Sequence, residues 1–198
     1  VIPISLSPDW NLISRTIVPI ANQNHIFPGA GSQTGLGDIL QSLFFSPAKP
    51  LGGVILGFGP VFLLPTGTDR LLSARKFGLG PTGVGLMQEG PWTFGLLFNH
   101  VWDVAGQDSR PHVNNTFLQP FLAYTTKNAW TFTLNTESTY DWRNEDWSVP
   151  LNFVVSKLLK IEGHPISIGA GARYWAESPQ SGPHGWGGRF VVTFLFPK

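Results

Sequence analysis

The chain has 198 residues, a formal net charge of +1 and only 13% charged residues. Soluble domains average about 25% charged residues, so this composition argues against a surface that faces water throughout. The small net charge implies no polyanion-binding surface, and we expect no nucleic acid partner. There is no cysteine, which excludes disulfides and cysteine-ligated metals.

The composition also disfavours helices. The 23 glycines and 17 prolines are the two residue types least suited to a helix interior. The longest apolar run, 54–65, is interrupted by Gly57, Gly59 and Pro60 and is too short for a transmembrane helix.

Eleven segments rich in β-branched and aromatic residues predict β-strands, because each is bounded by Gly, Pro, Asn or Asp. Soluble strands cluster near 5 to 6 residues, whereas a tilted strand that crosses a bilayer needs about 9 to 11. Most of these segments are long enough to cross. In chain order they cover residues 1–7, 10–21, 35–46, 53–65, 77–88, 91–104, 113–126, 129–142, 147–160, 165–177 and 186–196.

The links between these segments alternate in length. Short links occupy 7–9, 46–50, 89–90, 127–128 and 162–164. Mostly longer and more polar links occupy 22–34, 66–76, 105–112, 143–146 and 178–185. Bacterial transmembrane barrels have short periplasmic turns and longer outer loops, so the alternation predicts an antiparallel up-and-down β-barrel in the outer membrane.

Strand parity predicts one further strand. The chain opens at Val1 inside an alternating apolar stretch, and both its first and last segments are predicted to descend to the periplasm. An even-stranded closed barrel then needs an odd number of strands upstream, and we expect one, which makes twelve. Residues 1–198 are therefore predicted to be a single barrel domain whose N-terminal strand and signal peptide precede Val1.

Aromatic residues cluster near the strand ends, as expected for the two belts at the lipid headgroups. One set lies beside the short links and the other beside the long links. The predicted membrane-interface residues are Trp10, Trp92, Tyr124 and Trp130 in the first set, and Trp102, Trp142, Trp147, Trp175 and Trp186 in the second.

Alternation within the strands separates a lipid-facing side from a lumen-facing side. An arginine at mid-depth on the lipid side would cost about 2 to 4 kcal/mol, so the strand arginines are assigned inward. The predicted lumen-facing polar residues are Arg15, Asn99, Asp103, Asn115, Gln119, Asn135, Asn152, Ser156, Arg173 and Arg189. Apolar residues such as Phe117 and Phe121 share this side, which favours a narrow or partly plugged lumen.

Several stretches, in this order, resemble one protein family. They are DWNLISRTIVPI, GLGDILQSLFFSP, GFGPVFLLPTGT with KFGLGPTGV, NNTFLQPFLAY, WSVPLNFVVSKLLKI with HPISIGAGARYW, and FVVTFLFPK. The chain is similar to the outer-membrane transporter family called the phenol-degradation meta-pathway family, which is also labelled neuromedin U. This resemblance implies a bacterial outer-membrane barrel that takes up small, often aromatic or hydrophobic, molecules.

The sequence offers little support for an enzyme. No two histidines stand at metal-ligand spacing, and we expect no metal, no cofactor and no catalytic residue. His100 is predicted on the lipid-facing side near the outer belt. A lipid-modifying enzyme would need a serine within hydrogen-bond reach of it, and an interfacial belt residue is the plainer interpretation.

Two functions remain open at this stage. The first is a passive channel for small molecules, in which inward arginines would favour anionic or hydrogen-bond-accepting solutes. The alternative is a structural or scaffold barrel that binds partner proteins of the outer membrane through its loops or its lumen. Both functions require outer-membrane lipids as the surrounding partner.

Overall fold

The computed structural model describes residues 1–24, 29, 31–161, 164–180 and 182–194. Fourteen β-strands account for the regular structure of these residues. They are β1 (Ile2–Ser5), β2 (Trp10–Ile17), β3 (Ile20–Asn24), β4 (Ser32–Leu36), β5 (Ile39–Pro47), β6 (Val54–Leu64), β7 (Lys76–Glu89), β8 (Trp92–Gly106), β9 (Asn114–Thr125), β10 (Trp130–Thr136), β11 (Ser138–Asp141), β12 (Asp146–Ile161), β13 (His164–Glu177) and β14 (Gly185–Phe194).

The strands form one antiparallel sheet with a hairpin inserted in it. Sheet order follows chain order as β1-β2-β5-β6-β7-β8-β9-β10-β12-β13-β14, and β11 continues β10 between β9 and β12. Strands β3 and β4 pair only with each other. The predicted all-β, antiparallel, up-and-down fold is therefore confirmed, with eleven strands across the wall.

The predicted segments match the wall strands closely, apart from three that divide. Segment 10–21 becomes β2 and β3, 35–46 becomes the end of β4 and then β5, and 129–142 becomes β10 and β11. Val18 and Pro19 separate β2 from β3, because proline lacks the N–H that a ladder requires. Residues 162–163 of the fifth short link and 195–196 of the last predicted strand lie outside the described residues.

A second proline explains the gap between β10 and β11. Glu137 stands opposite Pro150, which accepts a 3.3 Å hydrogen bond from the Glu137 N–H but has no N–H to return. The ladder resumes in the same register at Thr139 opposite Ser148. On the other side of β12, the register with β13 shifts between Val149 and Pro150. This irregularity lies where Glu137 enters the interior.

Burial follows the predicted alternation along the long strands. In β8, Leu97, Asn99 and Val101 are buried, whereas Leu96 and Trp102 are exposed. The exposed side of the wall is apolar and continuous, which in water would be an interaction surface of unusual size. Its most exposed aromatic and aliphatic members include Phe58, Leu134, Phe153, Phe190 and Phe194.

The other side of the sheet encloses an interior. Arg189 on β14 reaches Glu137 between β10 and β11, and one cavity is lined jointly by β2, β5, β6, β8, β9 and β11. Strands that are distant in the sheet order therefore meet across the inside, so the sheet is strongly curled. No pairing joins β1 to β14 within the described ranges, and the predicted twelfth strand stays a prediction.

Glycines permit the tight curvature of the wall. A Cβ added at Gly80 would run into the backbone carbonyl of His100, and one at Gly59 into the carbonyl of Leu43. These positions therefore need a residue without a side chain so that neighbouring backbones can approach. This close backbone approach indicates that the glycines of these strands serve the curvature of the wall.

The wall places many buried side chains in the interior. Its buried apolar members are Phe44, Val61, Leu97, Val101 and Val154, and its buried polar members include Ser42, Thr82, Asn99 and Asn152. Among the described residues there is no helix long and apolar enough to cross a membrane.

The two faces of the wall make a direct prediction about substitutions. Leu134, which points outward at mid-strand and is 54% exposed, should not tolerate a charge. Leu134→Arg should lower the free energy of unfolding in lipid vesicles by about 2 to 4 kcal/mol, because the guanidinium would lie in hydrocarbon. Urea titration followed by heat-modifiable gel migration measures this loss.

Val104→Arg is the matched control, because Val104 also points outward but lies near the end of β8 and is 58% exposed. There the same charge should cost about 0 to 1 kcal/mol. Equal losses in the two variants would contradict the assignment of the outer face to lipid.

Candidate functional site

Glu137 is the centre of a charged cluster in the interior. Arg189 binds it in a bidentate manner, with Nη1 donating to Oε2 and Nη2 to Oε1, both at 2.7 Å. Arg173 donates from Nη2 to the same Oε2. Paired N–H donors held on a planar guanidinium are the strongest and most directional arrangement for a carboxylate. The three side chains thereby tie β13 and β14 to the gap between β10 and β11.

A row of amides extends this cluster around the wall. Arg173 Nε donates to Asn152 Oδ1 at 2.6 Å, and Asn152 Nδ2 donates to Asn135 Oδ1 at 2.8 Å. Gln119 Nε2 lies 3.4 Å from Glu137 Oε1. Asn152 is completely buried, so both its hydrogen bonds replace water that it has lost. Five predicted lumen residues, counting Arg189, thus join one network around a carboxylate that the sequence reasoning did not single out.

The cluster carries more positive than negative charge. Arg15 on β2 also interacts electrostatically with Glu137 across the interior. Its Nη1 atom is buried, and no side chain or backbone group within the described ranges accepts a hydrogen bond from it. Three guanidinium groups therefore share one carboxylate, and Arg15 is the member left without a direct partner at Nη1.

A separate charged group lies at the end of the wall that carries the long links, called here the long-loop end. Asp103 accepts from the backbone N–H of Val113 at 2.9 Å and contacts His112 Nδ1 at 2.8 Å. Lys76 Nζ is 3.4 Å from the same carboxylate. Lys76 is buried, and it is balanced by Asp103. Asp103, which was predicted to face the lumen, therefore anchors the start of β9 and does not join the Glu137 cluster.

The links at the long-loop end are bonded to one another. Asp38 accepts hydrogen bonds from the backbone N–H groups of Gly67 at 2.9 Å and Ala74 at 2.7 Å. Arg110 donates to the carbonyls of Arg70 and Ser73. Residues 65–75 are thereby held from both sides at this end of the wall.

The remaining predicted lumen residues are placed as follows. Asn99 and Asn115 line a cavity together with Arg15. Ser156 stands opposite Thr131 and Gly169 near the end of the wall that carries the short links, called here the short-turn end. It contacts none of the charged residues named above through any hydrogen bond found in the described part of the chain.

Most of the predicted interface aromatics are exposed on the outer side of the wall. Ring contacts join neighbouring strands at Trp92 with Tyr124, Trp147 with Tyr140 and Trp186 with Tyr174. Trp102 with His100 and Trp142 with Tyr140 are pairs two residues apart in the chain, and Trp10 on β2 contacts Phe58 on β6. Trp130 lies under the ammonium of Lys157 at 4.9 Å. Trp175 differs, because it shares the face of Arg173 and lies 5.4 Å from that guanidinium.

His100 lies on the outer side of the wall, on the same face of β8 as Trp102 and two residues before it. Its Nδ1 is 2.7 Å from the hydroxyl oxygen of Thr116, which also accepts a hydrogen bond from Trp142 Nε1 at 2.8 Å. The hydrogen-bonding residue is a threonine, so the serine that a lipid-modifying enzyme would need is not its partner. Within the described ranges, no group of three metal-binding side chains occurs.

Sequence reasoning missed Glu137 although a signal was present. Glu137 continues the inward series of Thr131, Thr133 and Asn135, and a glutamate in such a series should be counted as inward. The partners of Lys76 and Arg110 had no comparable signal, because both contacts join segments that are distant in sequence.

A curled antiparallel wall with an apolar outside and charged groups in its interior is the architecture of outer-membrane β-barrels. No protein-family model and no curated protein matches the sequence. The crystal structure of an outer membrane channel from Pseudomonas putida F1 is similar, with a TM-score of 0.68 and 13% identity over 96% of this chain and 77% of that chain. At this identity the likeness establishes the fold, and the predicted outer-membrane barrel fold is confirmed.

The Glu137 cluster predicts a measurable loss on removal of its carboxylate. Glu137→Gln should lower the free energy of unfolding by about 1.5 to 3 kcal/mol, because Arg173 and Arg189 lose charged hydrogen bonds. The double variant Glu137→Gln, Arg189→Gln should lose less than the two single losses added together. Urea titration in vesicles measures all three.

Glu145→Gln, at an exposed position between β11 and β12, makes the same chemical change outside the cluster. It should leave the unfolding free energy unchanged. A Glu137→Gln protein as stable as this control would show that the cluster contributes nothing to the wall.

Proposed function

We propose that the protein is a passive channel that lets small molecules cross the bacterial outer membrane. The observation that carries this proposal is the polar, charged cluster held inside a barrel whose fold is that of an outer membrane channel. The cluster holds three arginines near one glutamate, which is more positive charge than neutralising Glu137 requires. The arginine excess would select among solutes during passage.

The size and lining of the interior favour a narrow path. The inward side chains of Phe44 and Val61 are almost completely buried, and residues 65–75 are hydrogen-bonded to neighbouring links at the long-loop end. A path of this kind admits single small molecules and would conduct ions weakly. The apolar share of the lining is compatible with the aromatic or hydrophobic solutes that the family resemblance implies.

The buried side chains in the interior are also compatible with the second candidate, a structural or scaffold barrel. In that case the interior would serve packing alone, and the loops would bind partner proteins in the outer membrane. The two functions differ in one measurable respect, because only a channel passes solute across a bilayer. The lipid-facing outer side supports an outer-membrane location under both.

Widening the interior should increase flux if the protein is a channel. Phe117 points inward from β9 and lines the cavity near Arg15. Phe117→Ala should raise single-channel conductance in planar bilayers by about two-fold or more, because the ring narrows the path. Conductance traces of the purified chain measure this change.

Phe132→Ala removes an equal ring from the outer side of β10, where Phe132 is 40% exposed, and should leave conductance unchanged. Bilayers that stay silent with the wild-type protein and with Phe117→Ala would exclude the channel and leave the scaffold.

A further inference from the structure

We propose that the interior cavity next to Arg15 binds a small organic monocarboxylate with an apolar body. This inference rests on the proposed channel function, and it names the class of solute that the path would select. The cavity, called here the Arg15 cavity, has a volume of about 200 Å³. It lies between β2, β5 and β6 on one side and β8, β9 and β11 on the other.

The volume limits the size of the occupant. Cavities for drug-sized ligands span about 300 to 1,000 Å³, so this one suits a smaller molecule. In liquid water the same volume holds roughly seven molecules. A solute with one small ring or one short alkyl chain, together with a polar head, is of the right order.

Most of the lining is apolar. The apolar members of the lining are Ile17, Leu40, Leu63, Val101, Val113 and Phe117. These side chains come from six different strands or links, so they surround the cavity and do not form one flat patch. An inorganic anion such as phosphate would leave them facing a hydrated charge, which favours a solute with an apolar body.

Three polar side chains in the same lining each have an unused hydrogen-bonding atom. Arg15 Nη1, Asn99 Nδ2 and Asn115 Oδ1 are buried and have no hydrogen-bond partner among the residues that the structure describes. Asn99 is only 3% exposed. Buried polar groups are nearly always paired, so a concentration of three at one cavity indicates where a ligand completes the hydrogen bonding.

The unused atoms match a carboxylate. Arg15 Nη1 and Asn99 Nδ2 are both donors, and a guanidinium has no acceptor atom at all. Asn115 offers an acceptor, which rotation of its amide exchanges for a donor. A carboxylate accepts two or more hydrogen bonds in one plane, and arginine is the residue best shaped to supply them.

The charge balance of the interior also favours a negatively charged solute. Glu137 is already occupied by Arg173 and Arg189 through direct hydrogen bonds, and it acts on Arg15 only as a nearby charge. One negative charge placed in the Arg15 cavity would reduce the excess of the interior from three guanidinium groups against one carboxylate. A neutral solute would leave this excess of positive charge unchanged.

Calorimetric titration of the full chain in detergent micelles tests the proposal. The probes are benzoate and hexanoate, each compared with its uncharged counterpart, benzyl alcohol or 1-hexanol. We expect each acid to bind about ten-fold more tightly than its alcohol or better, because only the acid accepts from Arg15. Equal binding of acids and alcohols would overturn the proposal, and this comparison requires no variant.

Variants then locate the site. Arg15→Gln should abolish the preference for acids, and Asn99→Leu should weaken benzoate binding while Arg15 remains. Arg143→Gln, at an exposed position between β11 and β12, is the matched control and should bind benzoate as the wild type does. Heat-modifiable gel migration checks that each variant is folded. Folded Arg15→Gln protein with wild-type benzoate binding would place the site elsewhere and overturn the proposal.

Uptake of benzoate into proteoliposomes separates this inference from the proposed function. Binding without uptake would support the Arg15 cavity and count against the channel. Ion conductance without any preference for acids in titration would support the channel and overturn the carboxylate site.

Discussion

Backbone hydrogen bonding is the constraint on which this structure depends. At membrane depth each peptide N–H and C=O must find a partner within the protein, since lipid offers none. Long antiparallel strands meet this requirement strand by strand, and the curled wall brings distant strands together around an interior. The exceptions lie at prolines, where a ladder hydrogen bond is missing. Pro150 is the most consequential of them, because the interruption opposite it is where Glu137 enters the interior.

The interior follows from the same constraint. With lipid outside, side chains on one face of each strand must be apolar, and polar and charged groups are left to the other face. Once enclosed, these groups need partners of their own, which explains why Asn152 is completely buried with both its amide oxygen and its amide nitrogen hydrogen-bonded. Arg15 is the instructive departure from this rule. Its incomplete hydrogen bonding, beside Asn99 in an apolar cavity, gives the interior a chemistry that packing alone does not require.

The sequence predicted the wall well because its signals are local. Strand length, alternation and turn residues all act over a few neighbouring positions, so segments such as 77–88 and 91–104 fall within a residue or two of β7 and β8. The division of 129–142 at Glu137 was less accessible. It depends on Pro150 standing opposite, and register between strands is a property of pairs that are distant in the chain.

The candidate site was predicted in part for the same reason. Alternation, together with the cost of a guanidinium facing lipid, assigned Arg15, Arg173 and Arg189 to the lumen. It also determined the fold class and the apolar outside. Only the tertiary structure decided that Arg173 and Arg189 share Glu137 while Arg15 faces a cavity with Asn99 and Asn115. A single sequence specifies which side of a strand a residue occupies, whereas the partner it meets across the barrel depends on curvature and register, which are set by the whole sheet.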